Sequence, residues 1–253
     1  MSCVVDLSSR RHAPNSLKFL SHPAGVMLPF DDTSHADLIV PEVRSAICAG
    51  SYSANTIMNL PDLVQNGDRV LVIGAGLGVA STLIAKSNRA ERVIAVEANS
   101  ILYPYLKRVH ALNGVPWVET VNAVLGEKFR ARVPFFARHD LRDSSLVPDD
   151  GAWDQLMLIP CMDLNLILSE EQITLVVCEI PNASTQLMAL EGSWSVERIL
   201  VNPGGNLSRP QADDEMYALL GAVGFVADDR DTATVFDRVG ARREQIKQAK
   251  HSA

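Results

Sequence analysis

The sequence of 253 residues lacks several features that would assign it to a membrane, secreted or nucleic-acid-binding class. No run approaches the ~18 apolar residues of a membrane-spanning helix. Residues 1–6 do not follow the basic-then-apolar plan of a signal peptide. Acidic residues outnumber basic ones and give a net charge of −7, whereas a nucleic-acid binder usually presents a basic face. We therefore expect a cytoplasmic protein without a nucleic-acid or membrane partner, and a homodimer is left open.

Cysteine is scarce, and the sequence contains no cluster of metal-ligating residues at a recognisable spacing. Cys3, Cys48, Cys161 and Cys178 lie far apart in the chain, so they form neither a redox pair nor a thiolate metal site. We predict free thiols in a reducing cytosol and no bound metal. An apolar content of 47% is enough for the core of one domain.

The most informative stretch joins a strand, a glycine turn and a helix between Val70 and Lys86. The aliphatic run 70–73 is typical of a buried parallel strand. Glycines at alternate positions let the backbone turn sharply and approach a ligand closely, and the N-terminus of the following helix offers unpaired N–H groups. We predict a nucleotide site whose cofactor contacts come from Gly74, Ala75, Gly76, Leu77 and Gly78.

The spacing of the small residues separates two classes of nucleotide cofactor. The dinucleotide fingerprint G-x-G-x-x-G/A requires a small residue at position 79, where Val79 stands. The pattern G-x-G-x-G is instead the form found in S-adenosylmethionine-dependent methyltransferases, whose first motif this segment resembles. Glu97 ends the next strand, where an acid can accept hydrogen bonds from both ribose hydroxyls, in dehydrogenases as well. The loop favours S-adenosylmethionine, and a nicotinamide-dependent oxidoreductase stays open as an alternative.

Short apolar strands alternate with helical stretches along the rest of the chain. The alternation of basic and apolar residues over 127–137 suggests an edge strand or a hairpin, and 225–236 reads as a closing hairpin. This order predicts an α/β fold with a doubly wound, mostly parallel seven-stranded sheet, the Rossmann-like class I methyltransferase variant. We divide the chain into an N-terminal arm or lid (1–37), a methyltransferase domain (38–239) and a charged tail (240–253).

Several segments between Leu38 and Val239 together resemble the FkbM-type methyltransferases. They are Gly50-Ser51-Tyr52, Val72 to Gly78, Ile94 to Asn99, Leu106-Lys107-Arg108, Leu112-Asn113-Gly114, Val121 to Gly126 and Met162-Asp163-Leu164. The resemblance implies S-adenosylmethionine binding and methylation of a hydroxyl, often on a sugar or a secondary metabolite. On the matching segments we also expect cofactor contacts from Tyr52, Ala98, Asn122 and Ala123.

The acceptor side departs from the pattern of that family in two places. The family's fourth strand commonly ends Asp-Val-Glu-Gly-x-Glu, whereas residues 179–184 read Glu-Ile-Pro-Asn-Ala-Ser. Asn202-Pro203-Gly204 stands where an acid and a histidine are common. Glu179 is the only acid that the sequence places beside the expected methyl group, and burial could raise its pKa toward neutrality. We predict Glu179 as the general base, with a helix-capping role as the alternative.

Two histidines are weaker catalytic candidates. His110 lies beside the apolar stripe of a predicted helix, where we expect a surface side chain, and His139 lies in a polar loop that could reach the acceptor. Because the acceptor side is altered, a second hypothesis is a binding module that holds S-adenosylmethionine without transferring its methyl group.

Overall fold

The computed structural model of the protein describes residues 4–6, 18–30, 38–128, 130–138, 140, 144–148, 153–180, 184–187, 189–192, 195–202, 210–230 and 233–239. The strands are β1 (Val4–Asp6), β2 (Lys18–His22), β3 (Val26–Phe30), β4 (Asp68–Ile73), β5 (Ala90–Glu97), β6 (Glu119–Asn122), β7 (Val124–Gly126), β8 (Arg130–Ala137), β9 (Gln155–Asp163), β10 (Leu175–Cys178), β11 (Arg198–Val201), β12 (Phe225–Arg230) and β13 (Ala233–Arg238). The helices are α1 (Pro41–Ala49), α2 (Ala54–Leu63), α3 (Val79–Lys86), α4 (Leu102–Leu112), α5 (Leu164–Glu170), α6 (Ser184–Leu187) and α7 (Pro210–Ala222).

A seven-stranded sheet forms the centre of the molecule, in the order β12-β13-β11-β10-β4-β5-β6. β4 pairs in parallel with both β5 and β10, and β13 is antiparallel to its two neighbours. Residues 175–178 of β10 are fully buried, as expected for a parallel strand covered on both faces. The doubly wound sheet and its closing hairpin confirm the predicted fold class.

The order of the strands creates a crevice beside β4. From β4 the chain first builds β5 and β6 on one side, and later builds β10 and β11 on the other. Ligands of open α/β sheets bind at such a switch point, beyond the carboxyl ends of the strands. The glycine turn follows β4 directly, so the sheet topology places it at this crevice.

A second, three-stranded sheet is inserted between β6 and α5, in the order β7-β9-β8. β8 lies at its edge and pairs antiparallel with β9, which confirms the edge strand or hairpin expected over 127–137. One face carries a small apolar cluster that includes Phe135, Met157 and Ile159. Phe135 also lines the cavity described below, so this sheet forms part of its wall.

The N-terminal segment contains an antiparallel sheet, β1-β2-β3, that the sequence did not reveal. Leu20, Val26 and Leu28 are fully buried in a cluster with residues of α1 and α4. Pro23 belongs to the turn between β2 and β3, and Pro29 pairs with Phe19. Pro23 and Pro29 therefore stand within a packed hairpin.

Two expectations about single residues were wrong. Cys48 is disulfide-bonded, whereas Cys161 and Cys178 are buried free thiols; distance along the sequence did not predict distance in space. His110 is 1% exposed instead of lying on the surface. Among the described helices, none is both long and apolar enough to cross a membrane.

Candidate functional site

A cavity of ≈ 260 Å³ opens at the carboxyl ends of β4, β5, β10 and β11. Most of the residues predicted from the sequence line it, namely Tyr52, Gly74, Ala75, Gly76, Glu97, Ala98, Ala123 and Glu179. Leu77, Gly78 and Asn122 are not among its lining residues. The crevice expected from the fold thus brings the cofactor candidates and the base candidate to one place.

The glycines of the turn serve different purposes. A Cβ at Gly74 would collide with the side chain of Ile180 and come within 3.0 Å of the Glu179 carbonyl oxygen. A Cβ at Gly78 would lie 2.5 Å from Leu106 of α4. Gly74 and Gly78 therefore allow close packing of the turn against the segment after β10 and against α4, and Gly74 also lines the cavity.

Glu97 links the end of β5 to the glycine turn. Its Oε2 accepts a hydrogen bond from the Gly76 N–H (2.8 Å) and its Oε1 accepts one from the Asn99 N–H (2.7 Å). Burial raises the pKa of this carboxyl, and the backbone N–H donors oppose that rise. The carboxylate offers about four lone-pair positions, and the backbone N–H groups of Gly76, Ala98 and Asn99 use three of them. Glu97 can therefore accept one more hydrogen bond, from a ligand in the cavity.

Asn122 holds the end of β5 in place through hydrogen bonds of its side chain. Its Nδ2 donates to the carbonyl oxygens of Glu97 (2.8 Å) and Ala98 (3.0 Å), and its Oδ1 accepts from Ser100 Oγ (2.9 Å). Because Asn122 does not line the cavity, its contacts are those of a residue that positions Glu97. Direct cofactor contact at Asn122 stays a prediction.

Tyr52 reaches the glycine turn from the segment between α1 and α2. Its hydroxyl accepts a hydrogen bond from the Leu77 N–H at 3.2 Å. Its carbonyl oxygen receives one from His22 Nε2, also at 3.2 Å. The Ala24 N–H donates to His22 Nδ1 (3.1 Å), which assigns the ring proton to Nε2. The N-terminal sheet therefore helps to hold Tyr52 at the cavity.

Glu179 lies immediately after β10 and receives hydrogen bonds from the hydroxyls of Ser53 and Thr56. Burial raises the pKa of Glu179 to about 7, although both hydroxyls act to lower it. Asn202, which follows β11, donates its Nδ2 hydrogen to Thr56 Oγ1 at 3.1 Å. The two hydroxyl partners of the carboxyl lie at the start of α2, and the helix-capping alternative concerns residues 181–183, which lie outside the described residues.

The sequence analysis identified neither Ser53 nor Thr56. Ser53 adopts a left-handed φ of 55° as the N-cap of α2, and Thr56 is fully buried one turn later. A serine and a threonine at this spacing fit an ordinary helix start, so the sequence carried no signal that they face a carboxyl more than 120 residues away.

The described lining of the cavity mixes apolar and polar side chains and includes no positive one. Its described residues include neither lysine, arginine nor histidine, and its ionisable carboxyls are Glu97 and Glu179. The opposite wall adds Phe135, residues 144–147 and Gln186.

The two histidine candidates are not part of the described site. His110 Nε2 lies 2.8 Å from Ser81 Oγ in the interior, and burial lowers its pKa to about 4. It does not line the cavity. His139 lies outside the described residues. In the described part of the chain, no group of His, Cys, Asp and Glu side chains could hold a metal ion.

The cavity has the features that S-adenosylmethionine requires of its binding site. A glycine-rich turn follows β4, and a buried carboxylate that can accept a further hydrogen bond ends β5. The sulfonium and ammonium groups of the cofactor are cationic, and the described lining residues include two acids and no positive side chain. The residues present therefore fit this cofactor.

Comparison with protein families agrees with this assignment. Residues 50–133 match the model of the TRM5/TYW2 methyltransferase domain. This range contains α2, the glycine turn, Glu97 and Asn122. The expected methyl donor, S-adenosylmethionine, is thereby confirmed, and the protein is an S-adenosylmethionine-dependent methyltransferase. The FkbM-type assignment is not confirmed by this match.

Solved structures with a similar fold include methyltransferases of several kinds. Streptococcus pneumoniae Sp1610, a candidate tRNA (m1A22) methyltransferase, is 12% identical, with 72% of this chain and 69% of that chain covered and a TM-score of 0.45. The ribosomal protein L11 methylase of Lactobacillus delbrueckii subsp. bulgaricus is 9% identical, with 74% of this chain and 77% of that chain covered and a TM-score of 0.46. Precorrin-6y C5,15-methyltransferase of Geobacter metallireducens GS-15 is 15% identical, with 73% of this chain and 86% of that chain covered and a TM-score of 0.40. No curated protein sequence matches the chain.

Proposed function

We propose that the protein methylates a hydroxyl group of a sugar or another small, uncharged metabolite, with Glu179 as the general base. The observation that carries this proposal is the carboxyl of Glu179, whose pKa is raised to about 7 at the cavity that the glycine turn also lines. A base is most effective when its pKa lies near the working pH. The FkbM-type resemblance implies the same kind of acceptor.

The transfer itself makes limited demands on the protein. Bound S-adenosylmethionine supplies an electrophilic methyl group, which leaves the sulfur and forms a bond to the acceptor oxygen. The chain must hold that oxygen in line and receive its proton. Glu179 accepts the proton at its carboxylate, and the hydroxyls of Ser53 and Thr56 orient that carboxylate.

The charge of the lining supports a neutral acceptor. Binding of a nucleic acid or a phosphorylated substrate usually relies on lysine and arginine, and the described lining residues include neither. The whole chain carries a net charge of −7. The RNA and protein acceptors named for the proteins of similar fold are therefore not the acceptors that we propose here.

The test measures transfer of tritiated methyl from labelled S-adenosylmethionine into glycans, hydroxylated metabolites and tRNA. We expect transfer into a neutral hydroxyl compound, and Glu179→Gln should lower the turnover by about 10²–10⁴-fold. The affinity for S-adenosylhomocysteine in calorimetry should stay nearly unchanged. Glu170→Gln removes an exposed acid at the end of α5 and serves as the matched control with wild-type activity.

Three outcomes would contradict the proposal. Equal transfer by the wild type and Glu179→Gln would remove Glu179 as the base. Transfer into tRNA alone would overturn the neutral acceptor. Tight cofactor binding without transfer into any acceptor would favour the binding module.

A further inference from the structure

Gln186 presents an unused hydrogen-bond donor at the site. It lies on α6, is 7% exposed and lines the cavity. Its Oε1 accepts a hydrogen bond from the Leu125 N–H of β7 at 3.2 Å. Nothing in the transfer chemistry described above uses this side chain.

The contact with Leu125 determines which way the amide of Gln186 is turned. A backbone N–H can only donate, so the amide oxygen must face β7 and the amide nitrogen must face away from it. Leu125 is not a lining residue, whereas Gln186 is. The Nε2 hydrogens are therefore the polar atoms of Gln186 that are available to the cavity.

In the described part of the chain, the side chain of Gln186 makes one hydrogen bond, the one that its Oε1 accepts from Leu125. The two hydrogens on Nε2 have no acceptor there. Gln186 Nε2 is not one of the fully buried side-chain atoms that lack a partner, so it is open to the cavity, which Gln186 lines. A donor that is held in one orientation and open to a binding cavity is suited to an oxygen of the ligand.

We infer that Gln186 Nε2 donates a hydrogen bond to a second oxygen of the methyl acceptor, an oxygen other than the one that is methylated. The inference rests on the proposed function. Glu179 accepts the proton of the reacting hydroxyl, and Gln186 recognises another hydroxyl or carbonyl oxygen. The enzyme then selects polyols or hydroxy-carbonyl compounds over alcohols with a single oxygen.

The position of Gln186 in the chain connects it with the acceptor side of the cavity. It lies on α6, seven residues after Glu179, whereas the ribose-binding candidate Glu97 ends β5. An amide donor carries no charge, so it suits a neutral oxygen better than a phosphate or a carboxylate. This agrees with the absence of positive side chains among the described lining residues.

Gln186→Glu isolates the donor from the rest of the side chain. The glutamate keeps an oxygen for the Leu125 N–H, but its second oxygen cannot donate when ionised. Gln186→Met removes the amide without adding a charge. It therefore shows whether a decrease of kcat/KM in Gln186→Glu comes from the lost donor or from the added negative charge. Gln155→Glu makes the same chemical change at an exposed position of β9 and is the matched control.

The experiment measures methyl transfer into the best neutral acceptor of the panel and into analogues of it that each lack one other oxygen. With the full acceptor, both Gln186 variants should show a kcat/KM about tenfold lower, since one hydrogen bond is missing. The wild type should show about the same decrease with one particular deoxy analogue, and the variants should show no further decrease with that analogue. S-adenosylhomocysteine affinity and the control variant should match the wild type.

Other results would overturn the inference. One such result is that Gln186→Glu keeps the wild-type kcat/KM while Glu179→Gln is inactive. Gln186 would then have no part in acceptor recognition, and the proposed function would stand. A parallel decrease of S-adenosylhomocysteine affinity would assign the donor to the cofactor. If the wild type transfers methyl to no hydroxyl compound, the inference fails together with the proposed function.

Discussion

The two sides of the cavity are built in different ways. On the cofactor side, one continuous stretch from β4 to β6 supplies the glycine turn, Glu97 and Asn122, and many of the contacts are made by backbone N–H and C=O groups. On the acceptor side, Thr56, Glu179 and Asn202 come from three separate segments and meet through side chains. A site of the first kind is a local motif, whereas one of the second kind exists only in the folded chain.

This difference predicts that the two sides fail separately. Substitutions on the cofactor side should weaken binding of S-adenosylhomocysteine, while those on the acceptor side should spare binding and reduce transfer. The match to a known methyltransferase domain ends at residue 133, before Glu179.

The largest effect is expected for Gly76→Val, which should abolish cofactor binding. Gly76 has a φ of 53°, which is unfavourable for a β-branched residue. A Cβ there would lie 2.8 Å from the Tyr52 hydroxyl, so the turn or Tyr52 must move. Calorimetry with S-adenosylhomocysteine measures the decrease in affinity, and circular dichroism checks the fold.

The control for this variant is Gly221→Val. Gly221 lies in α7 with nothing within 4 Å of an added Cβ, and that variant should bind normally. Binding retained in Gly76→Val would remove the turn from the cofactor site.

A smaller decrease in affinity is expected for Glu97→Ala. A hydrogen bond to a charged group contributes about 1.5–3 kcal/mol, so each ribose hydrogen bond that the variant cannot form should weaken binding about 10- to 150-fold. The Gly76 N–H is also left without its carboxylate partner. Glu91→Ala, at an exposed ion pair on the same strand, should bind as the wild type does. Equal affinities for all three proteins would show that Glu97 only organises the turn.

The cofactor side was also the part that the sequence predicted well. A strand, alternate glycines and an acid at the next strand end are neighbours in the chain, and backbone geometry ties them to one function. Asn122 is the exception, because its side chain turned out to bind the carbonyl oxygens of Glu97 and Ala98. Whether a side chain near a site faces the ligand or the backbone is decided by packing.

The parts that were not predicted depend on contacts between distant segments. Thr56 lies 123 residues before Glu179, and His22 lies 30 residues before Tyr52. Each looks ordinary in its own segment, and only the tertiary structure brings it to its partner. The burial of His110 was missed for the same reason, since it lies beside Ser81 of α3.

Thr56→Val should change the pH dependence of transfer without changing cofactor binding. The Thr56 hydroxyl favours the ionised form of Glu179, so its removal should raise the pKa of that carboxyl. The acid limb of kcat should move to higher pH, with about tenfold lower turnover at pH 7 and little decrease at pH 9. Valine has nearly the shape of threonine, which limits effects on packing.

Thr120→Val is the control for a threonine outside this network, since Thr120 on β6 does not line the cavity. Its pH profile should be that of the wild type. An equal decrease of turnover in Thr56→Val at every pH would mean that Thr56 supports the structure of the site without adjusting the base.

The smallest expected effect is on stability, and it concerns Glu179 again. In the folded protein burial raises the pKa of this carboxyl from the ordinary 4.5 to about 7. Between these values the folded state binds more protons than the unfolded state, so the contribution of Glu179 to stability falls as the pH rises. Above pH 7 the folded protein must keep a buried carboxylate ionised, which is unfavourable.

Glu179→Gln removes this unfavourable term and should therefore stabilise the protein at alkaline pH while it inactivates the enzyme. We expect Tm to rise by about 2–4 °C at pH 8, corresponding to about 1 kcal/mol for a chain of this size, and to change little at pH 5. Glu170→Gln, at an exposed acid, should show no such pH dependence. Scanning calorimetry at the two pH values makes the measurement. The same Tm change at pH 5 and pH 8 would show that burial does not raise the pKa of Glu179. The two sides of the cavity would then not differ in this respect: neither would carry a base whose ionised form lowers the stability of the folded protein.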